Sequence, residues 1–550
     1  MERSFISIIE ETIIKHWELD ALTDYHGQTL QYKDIARKIE KIRILFEYGG
    51  IEPGDKIAIC GRNCSQWGAA FLATLTYGAV AVPVLHEFSA DNVHRIVNHS
   101  EARLLFVGDQ VWKDLDAAEM PHLEGIVQLT DYALLESRSE QLDYARGHLN
   151  QLFGKKFPER FRQEHVSYRR EEPDELAIIN YTSGTTSNSK GVMLPYRSLW
   201  SNTQCSIDKL SLKPGSRMVS MLPMAHMYGL SLEFLYSFCQ GMHLYFLNRM
   251  PSPMIIFKAF NEIKPDLVVA VPLIIEKIIK KKVLPKLEKP AAKFLWHLPF
   301  FSDRLKARVR QRVMNAFGGR FVEVVVGGSS FNHEIEHFLK SIKFPYTVGY
   351  GMTECGPFIA YEGWENFREG TCGKPVFRME VRIDSSDQHS IPGEILCRGE
   401  NLMLGYYKNE EATRQTIDKD GWLHTGDLGL IDKYGNLIIK GRIKNMILGP
   451  SGQNIYPEEI ENLLNNMPCV NESLVLQNKA GKLVALAHPD TEVMKEEGVD
   501  KADLPKIFEA YRETINQKMP LYQKISEIRI HDEEFAKTPK RSIKRFLYQS

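Results

Sequence analysis

The sequence carries almost no net charge. Its 69 Lys plus Arg offset 70 Asp plus Glu to leave −1, so no overall field draws it to nucleic acid or an anionic bilayer. This argues against a dedicated nucleic-acid binder. Cysteine is sparse and scattered. Cys60, Cys64, Cys205, Cys239, Cys355, Cys372, Cys397 and Cys469 include one C-x3-C pair, but neither a zinc-type pair of pairs nor a dense disulfide framework. A reduced compartment is expected, with the cysteines as small core residues without a catalytic role. No secretory leader is expected. MERSFISIIEETIIKHWELD sets acids and a Lys-His pair among its apolar positions, leaving no continuous apolar region and no small-residue cleavage site. The expected location is cytoplasmic. Long apolar runs are absent except for Cys64 to Leu85, uncharged over about the length a bilayer helix needs. There Gly78 falls where a helix ending at Tyr77 would want its C-cap, and AVAVPV reads as a short strand. A buried helix and strand are expected, not a transmembrane segment. Internal repeats and low-complexity tracts are also lacking.

What is present suits folded domains. The 550 residues are 43% hydrophobic, 25% charged and 10% aromatic, enough for sizeable cores in three to five compact units by the usual domain size (~100–200 residues). Ile35, Ile39, Ile42 and Phe46 repeat at helical spacing up to Gly49-Gly50, and the strand-like runs KIAIC, AVAVPV and LLFV follow. LAIIN, RMVSMLP, MHLYFL, DLVVAVP and FVEVVVGG continue the alternation after residue 170. Strands alternating with helices predict mostly parallel sheets covered on both sides. From about Gly373 the texture becomes antiparallel, with GEILCRG and a hairpin in which Asp432 to Asn436 joins two β-like runs. Beyond Arg442 come the Pro-started helix PEEIENLLNN, a hairpin around Ala480-Gly481 and the amphipathic LPKIFEAYRETINQ. The predicted class is α/β with a small α+β C-terminal domain. The basic run Lys277 to Lys293 is expected to be a solvated face, which leaves peripheral membrane contact open.

Three stretches point to chemistry. Tyr181-Thr182-Ser183-Gly184-Thr185-Thr186-Ser187-Asn188-Ser189-Lys190 follows an apolar strand. Its hydroxyls, unobstructed N–H groups and Lys190 charge suit a triphosphate, although it is not a Walker A loop and a polar surface turn is the alternative. Second, Gly327-Gly328-Ser329-Ser330 ends a strand some twenty residues before Tyr350-Gly351-Met352-Thr353-Glu354. Such glycines let a flat ring lie on the backbone at a strand's carboxyl end. Tyr350 could stack on that ring and Glu354 could hold a phosphate-bridging Mg²⁺; separate turns are the alternative. Third, Asp427 with Arg442 could fix a ribose, or form a surface ion pair.

In order along the chain, YTSGTTSNSKGV, LPMAHMYG, VVVGGSS, GYGMTE, GEILCRGENLMLGYY, WLHTGDLG and GRIKNMI resemble the adenylate-forming superfamily of acyl-CoA synthetases, luciferases and peptide-synthetase adenylation domains. The helical insert before VRQRVMNAFGGRFVEVVVGGSS is similar to long-chain fatty acyl-CoA synthetases. The resemblance implies an N-terminal AMP-binding domain over residues 1–443, of two α/β subdomains plus a β-barrel module at about 373–443, and a mobile C-terminal domain over 444–550. It implies ATP, Mg²⁺ and CoA with a fatty acid as substrate. It also places Lys444 at a hinge, Gly452, Gln453 and Asn454 in a CoA-facing loop, and His226 by the acyl site, with a hydrogen-bonded, half-buried histidine as the alternative for His226.

Two departures stand out. Ser187 and Ser189 replace a glycine and a proline of the family loop, and Ser542 stands where the family carries its catalytic lysine. Lys540 or Lys544, one step along an extended segment, is the expected substitute. The implied reaction has Thr185 and Glu354 carrying Mg²⁺ while the loop holds the phosphates. The alternatives are an acyl-AMP ligase loading a carrier-protein thiol, a luciferase-like oxygenase, and a nucleotide-binding homologue that lost the chemistry. Nothing in the sequence specifies an oligomeric state.

Overall fold

The computed structural model describes residues 3–182, 189–247, 253–282, 299–449, 453–537 and 543–548. The helical periodicity around Ile35 yields helix Tyr32–Tyr48, which buries Ile35, Ile39, Ile42 and Phe46 and stops at Gly49. The charge-free segment becomes helix Ser65–Tyr77, closed by left-handed Gly78 (φ 93°), and buried strand Val80–Val84. The tertiary structure supplies the reason for its apolarity: the helix is clamped between layers. A Cβ on Gly68 would lie 2.9 Å from Phe234 and 3.3 Å from Leu22. Trp67 stacks on Phe71 with ring centroids 5.4 Å apart, and Phe71 meets Phe234 edge-on at 6.2 Å. Burying one such Phe is worth about 2–3 kcal/mol, so a helix covered on all sides wants no charge on any face. Among the described residues no helix is long and apolar enough to cross a membrane.

Two large sheets organise the body. The eight-stranded sheet runs Gly405–Tyr406, Gly191–Pro195, Leu176–Tyr181, Val80–Val84, Lys56–Cys60, Ala102–Val107, Gly125–Gln128, Leu134–Ser137. Its centre is parallel, and antiparallel strands finish both edges. The seven-stranded sheet runs Tyr346–Val348, Glu323–Val326, Leu267–Ala270, Arg217–Ser220, His243–Phe246, Asp20–Asp24, Thr29–Gln31. The hairpin of residues 20–31 thus completes the sheet otherwise built from residues 217–348, a crossing no local pattern announces.

The antiparallel stretch forms a four-stranded sheet of Met379–Asp384, Gly393–Gly399, Leu423–Ile431 and Leu437–Arg442 beside a three-stranded one beginning at Tyr350–Gly351. One strand leaves it: Gly405–Tyr406 pairs with Gly191–Pro195 of the first α/β layer. The C-terminal α+β part packs helices Pro457–Leu464 and Leu504–Lys518 on the sheet Val470–Gln477, Leu483–Pro489, Ile525–Ile530. Its two apolar clusters draw only on residues from Ile447 onward. All eight cysteines are free; seven are buried and Cys64 is partly so.

Candidate active site

The parallel strands deliver their chemistry at their carboxyl ends. In the seven-stranded sheet, Arg217–Ser220 leads into Met221 to Gly229, Glu323–Val326 into Gly327 and Gly328, and Tyr346–Val348 into Tyr350. In the eight-stranded sheet, Lys56–Cys60 leads toward Asn63 and Leu176–Tyr181 into Thr182. Side chains tie these ends together. Asn180 Nδ2 donates to Ala225 O at 2.9 Å, and Asn63 Nδ2 to Leu222 O at 2.7 Å. Tyr228 Oη donates to Val325 O at 3.2 Å, and its ring carbon Cζ lies 3.1 Å from where a Cβ on Gly327 would sit. Gly328, with φ 92°, and Ser329 are exposed beside it.

The three motifs read from sequence meet in two clusters. Asp427 and Arg442 are register partners in the antiparallel ladder, with Arg442 Nε 2.9 Å from Asp427 Oδ1. Tyr350 Oη donates to the other carboxylate oxygen at 2.6 Å. Asp427 is 5% exposed, and its carboxyl is pushed above the usual range by burial, against the pull of Arg442 and Tyr350. Four residues from Tyr350, Glu354 sits in the buried turn Thr353–Cys355 and accepts from Tyr406 Oη at 2.9 Å. The Lys190 ammonium lies 4.4 Å from the centre of the same Tyr406 ring. Gly351 is needed between the clusters because a Cβ there would strike Pro357 O.

Of the phosphate loop, Ser183, Gly184, Thr185 and Thr186 lie outside the described residues. The flanks are defined: Thr182 N–H donates to Lys190 O at 2.9 Å, and Tyr181 pairs with Gly191 in an antiparallel ladder. The flanking strands Leu176–Tyr181 and Gly191–Pro195 are antiparallel neighbours. His226 is half-buried ahead of the buried π-helix Gly229–Leu235, and its Nδ1 accepts from Tyr228 N–H at 3.3 Å.

Sequence reasoning missed three residues. Tyr406 lies inside GENLMLGYY, which carried the resemblance without any role for this ring. Glu233 is 0% exposed and accepts from Ser220 Oγ at 2.9 Å and from Met221 and Leu222 N–H at 3.1 Å each. Burial pushes its carboxyl up to about 8. Its signal was one acid within the apolar GLSLEFLYSF, since a buried carboxyl needs donors. Asn63 had no local signal.

The C-terminal candidates stand apart. Exposed Lys444 occupies the turn Ile443–Asn445 between the antiparallel sheet and the C-terminal part. Gln453 and Asn454 are exposed at the start of strand Asn454–Ile455, whereas Gly452 falls outside the described residues. Lys540 and Ser542 do too. Lys537 and Ile543 form an antiparallel bridge, Lys544 N–H donates to Ala536 O at 2.8 Å, and Lys544 then caps the turn Arg545–Leu547. Of the basic run, helix Pro272–Lys282 is formed and 283–293 are outside the described residues.

The carboxyl ends of open α/β sheets are where doubly wound proteins bind ligands, and here they gather two buried carboxylates, a guanidinium and an ammonium. The family model described as AMP-binding enzyme matches residues 9–407. The chain belongs to this family of adenylate-forming enzymes, and within it resembles the long-chain acyl-CoA synthetases. It is 30% identical to the peroxisomal long chain acyl-CoA synthetase 6 of Arabidopsis thaliana, covering 83% of this chain and 68% of that protein. It is 27% identical to a long-chain-fatty-acid–CoA ligase of Escherichia coli O157:H7, covering 86% and 82%. Among solved structures, ATP-bound MatB from Rhodopseudomonas palustris has TM-score 0.76 at 20% identity, covering 100% of this chain and 98% of that one. The o-succinylbenzoate CoA synthetase of Bacillus subtilis with ATP and magnesium has TM-score 0.73 at 20% identity, covering 98% of each. These two share the fold.

Proposed function

We propose that the protein activates a fatty carboxylic acid with ATP and passes the acyl group to CoA. A carboxylate is a poor acyl donor because its leaving group would be oxide. Attack of its oxygen on the α-phosphorus of ATP releases pyrophosphate and gives an acyl-adenylate, whose AMP then leaves when the CoA thiolate attacks the carbonyl. The observation that carries this reading is the meeting of three distant motifs: Lys190 and Glu354 on one tyrosine, Tyr350 and Arg442 on Asp427. Relatives bearing long-chain fatty acid ligase names favour a fatty substrate over other acids.

In this reading Asp427 and Arg442 hold the ribose, and the Tyr350 ring with Gly328, Ser329 and Gly351 forms a face for the adenine. Lys190 and the Thr182 to Thr186 loop take the β- and γ-phosphates. Glu354 suits Mg²⁺, which commonly uses one or two carboxylates plus substrate phosphates. Together with Thr185 it would hold the ion that offsets phosphate charge. Lys540 or Lys544 would draw the carboxylate and α-phosphate together, and His226 would border the acyl pocket. Rotation about Lys444 would bring Gly452, Gln453 and Asn454 to CoA.

The test is pyrophosphate release and thioester formation across acids from acetate to oleate, with and without CoA. Release with fatty acids, followed by acyl-CoA, is expected. Release without thioester would favour a carrier-protein acceptor, and no release with any acid would refute activation. Glu354→Gln is expected to slow acyl-adenylate formation in single turnovers; an unchanged rate would remove its metal role.

A further inference from the structure

Tyr406 contacts the two groups that the proposed reaction assigns to phosphate and metal. Its ring lies under the Lys190 ammonium at 4.4 Å, and its hydroxyl donates to Glu354 Oε1 at 2.9 Å. The residue is itself held firmly. It is 6% exposed, pairs with Val192 across the antiparallel edge Gly405–Tyr406 to Gly191–Pro195, and its N–H donates to Thr413 Oγ1 at 2.9 Å. Val192 lies two residues after Lys190, and Met403 N–H donates to Glu354 O at 2.9 Å. The short strand therefore registers both backbones, and the tyrosine both side chains.

Opposite charges on neighbouring loops gain by pairing directly, and a Lys190 to Glu354 ion pair would occupy the groups an incoming MgATP needs. A tyrosine serves both charges at once: its π face attracts an ammonium and its hydroxyl donates to a carboxylate. Phenylalanine offers only the first and leucine neither. Groups fixed before binding lose less freedom on binding.

We infer that Tyr406 is a positioning residue that holds Lys190 and Glu354 apart and presented to MgATP, an inference that rests on the proposed roles of those two residues. Its action runs through them and not through contact with the acid.

The test is a mutant cycle on the full chain, read as MgATP affinity by calorimetry, with circular dichroism and thermal unfolding without nucleotide as the fold check. Tyr406→Phe keeps the ring and should weaken MgATP about tenfold, the size expected for one hydrogen bond to a charged group. In a Glu354→Ala background the same change should have almost no effect. Tyr406→Leu should cost a further few-fold by removing the π face; if it fails to fold, the phenylalanine cycle carries the test. Wild-type affinity in Tyr406→Phe, or an undiminished drop in the Glu354→Ala background, would overturn the inference. If MgATP binds with this dependence but no acid yields pyrophosphate, the catalytic proposal fails and the positioning role stands. If the wild type does not bind MgATP, both fall.

Discussion

The candidate site and the C-terminal part are built on opposite plans. At the site the buried polar groups are held from several sides: Asp427 by Arg442 and Tyr350, Glu354 by its turn and Tyr406, the His226 segment by Asn63, Asn180 and Glu233. The C-terminal part has its own apolar clusters and meets the body through polar contacts. Lys440 Nζ lies 3.2 Å from Glu459 Oε1, and at the junction itself Asn445 Nδ2 donates to Glu458 Oε1 at 2.6 Å. A Cβ on Gly441 would sit 2.9 Å from Glu458 Oε2, so glycine lets the helix Pro457–Leu464 approach the strand. Apolar interfaces are costly to separate and exposed ion pairs are not. The contrast teaches where the fold spends rigidity: on the polar groups of the candidate site, and not on the junction at Lys444.

The largest expected effect strikes the rigid side. Asp427→Ala removes the acceptor of Tyr350 and the partner of Arg442, two interactions with a charged group. Acyl-adenylate formation should fall about 10²- to 10³-fold; a loss under about threefold would mean that this carboxylate does not hold the nucleotide.

Next comes the junction. Lys444→Pro should slow thioester formation about tenfold more than adenylation, because a hinge must change its backbone torsions. Single-turnover measurement of the two halves checks this, and equal losses would dissolve the contrast. Lys440→Ala should change thermal stability by less than about 1 kcal/mol, since half-exposed ion pairs are weak. A larger shift in calorimetry would make the junction a structural interface.

The smallest effect concerns pH. Glu233 has its folded carboxyl pushed from 4.5 to about 8, so the folded state binds its proton more tightly than the unfolded one. Its contribution to stability is fully present below about 4.5 and is lost as pH rises through about 8. Glu323 and Glu461, each pushed up to about 7, act in the same direction. Urea unfolding of Glu233→Gln between pH 4.5 and 8 should show a shallower decline than the wild type. Equal slopes would show that this carboxyl is ionised throughout.

Much of this was legible locally. Helix Tyr32–Tyr48, the αL cap at Gly78 and the hairpin turn after Ile431 follow from spacing and turn chemistry that act within a few residues. The hairpin also places Arg442 against Asp427. Tyr406 was missed because its partners lie far from it in the chain, Lys190 beside the strand it pairs with and Glu354 in a turn of another sheet. Asn63 was missed because an asparagine after a strand reads as an ordinary turn residue.

The sequence by itself determined the strand and helix order, the change from parallel to antiparallel texture, and which motifs carry hydroxyls, carboxylates and cations. Each is set by side-chain periodicity or by residue type. Only the tertiary structure decided that residues 20–31 complete the second sheet, that Gly405–Tyr406 crosses to the first, and that one tyrosine thereby touches both Lys190 and Glu354. Those pairings bring together residues far apart in the chain. They are chosen by which buried edges fit and by where unpaired strand groups find partners, and no short window of sequence contains that choice.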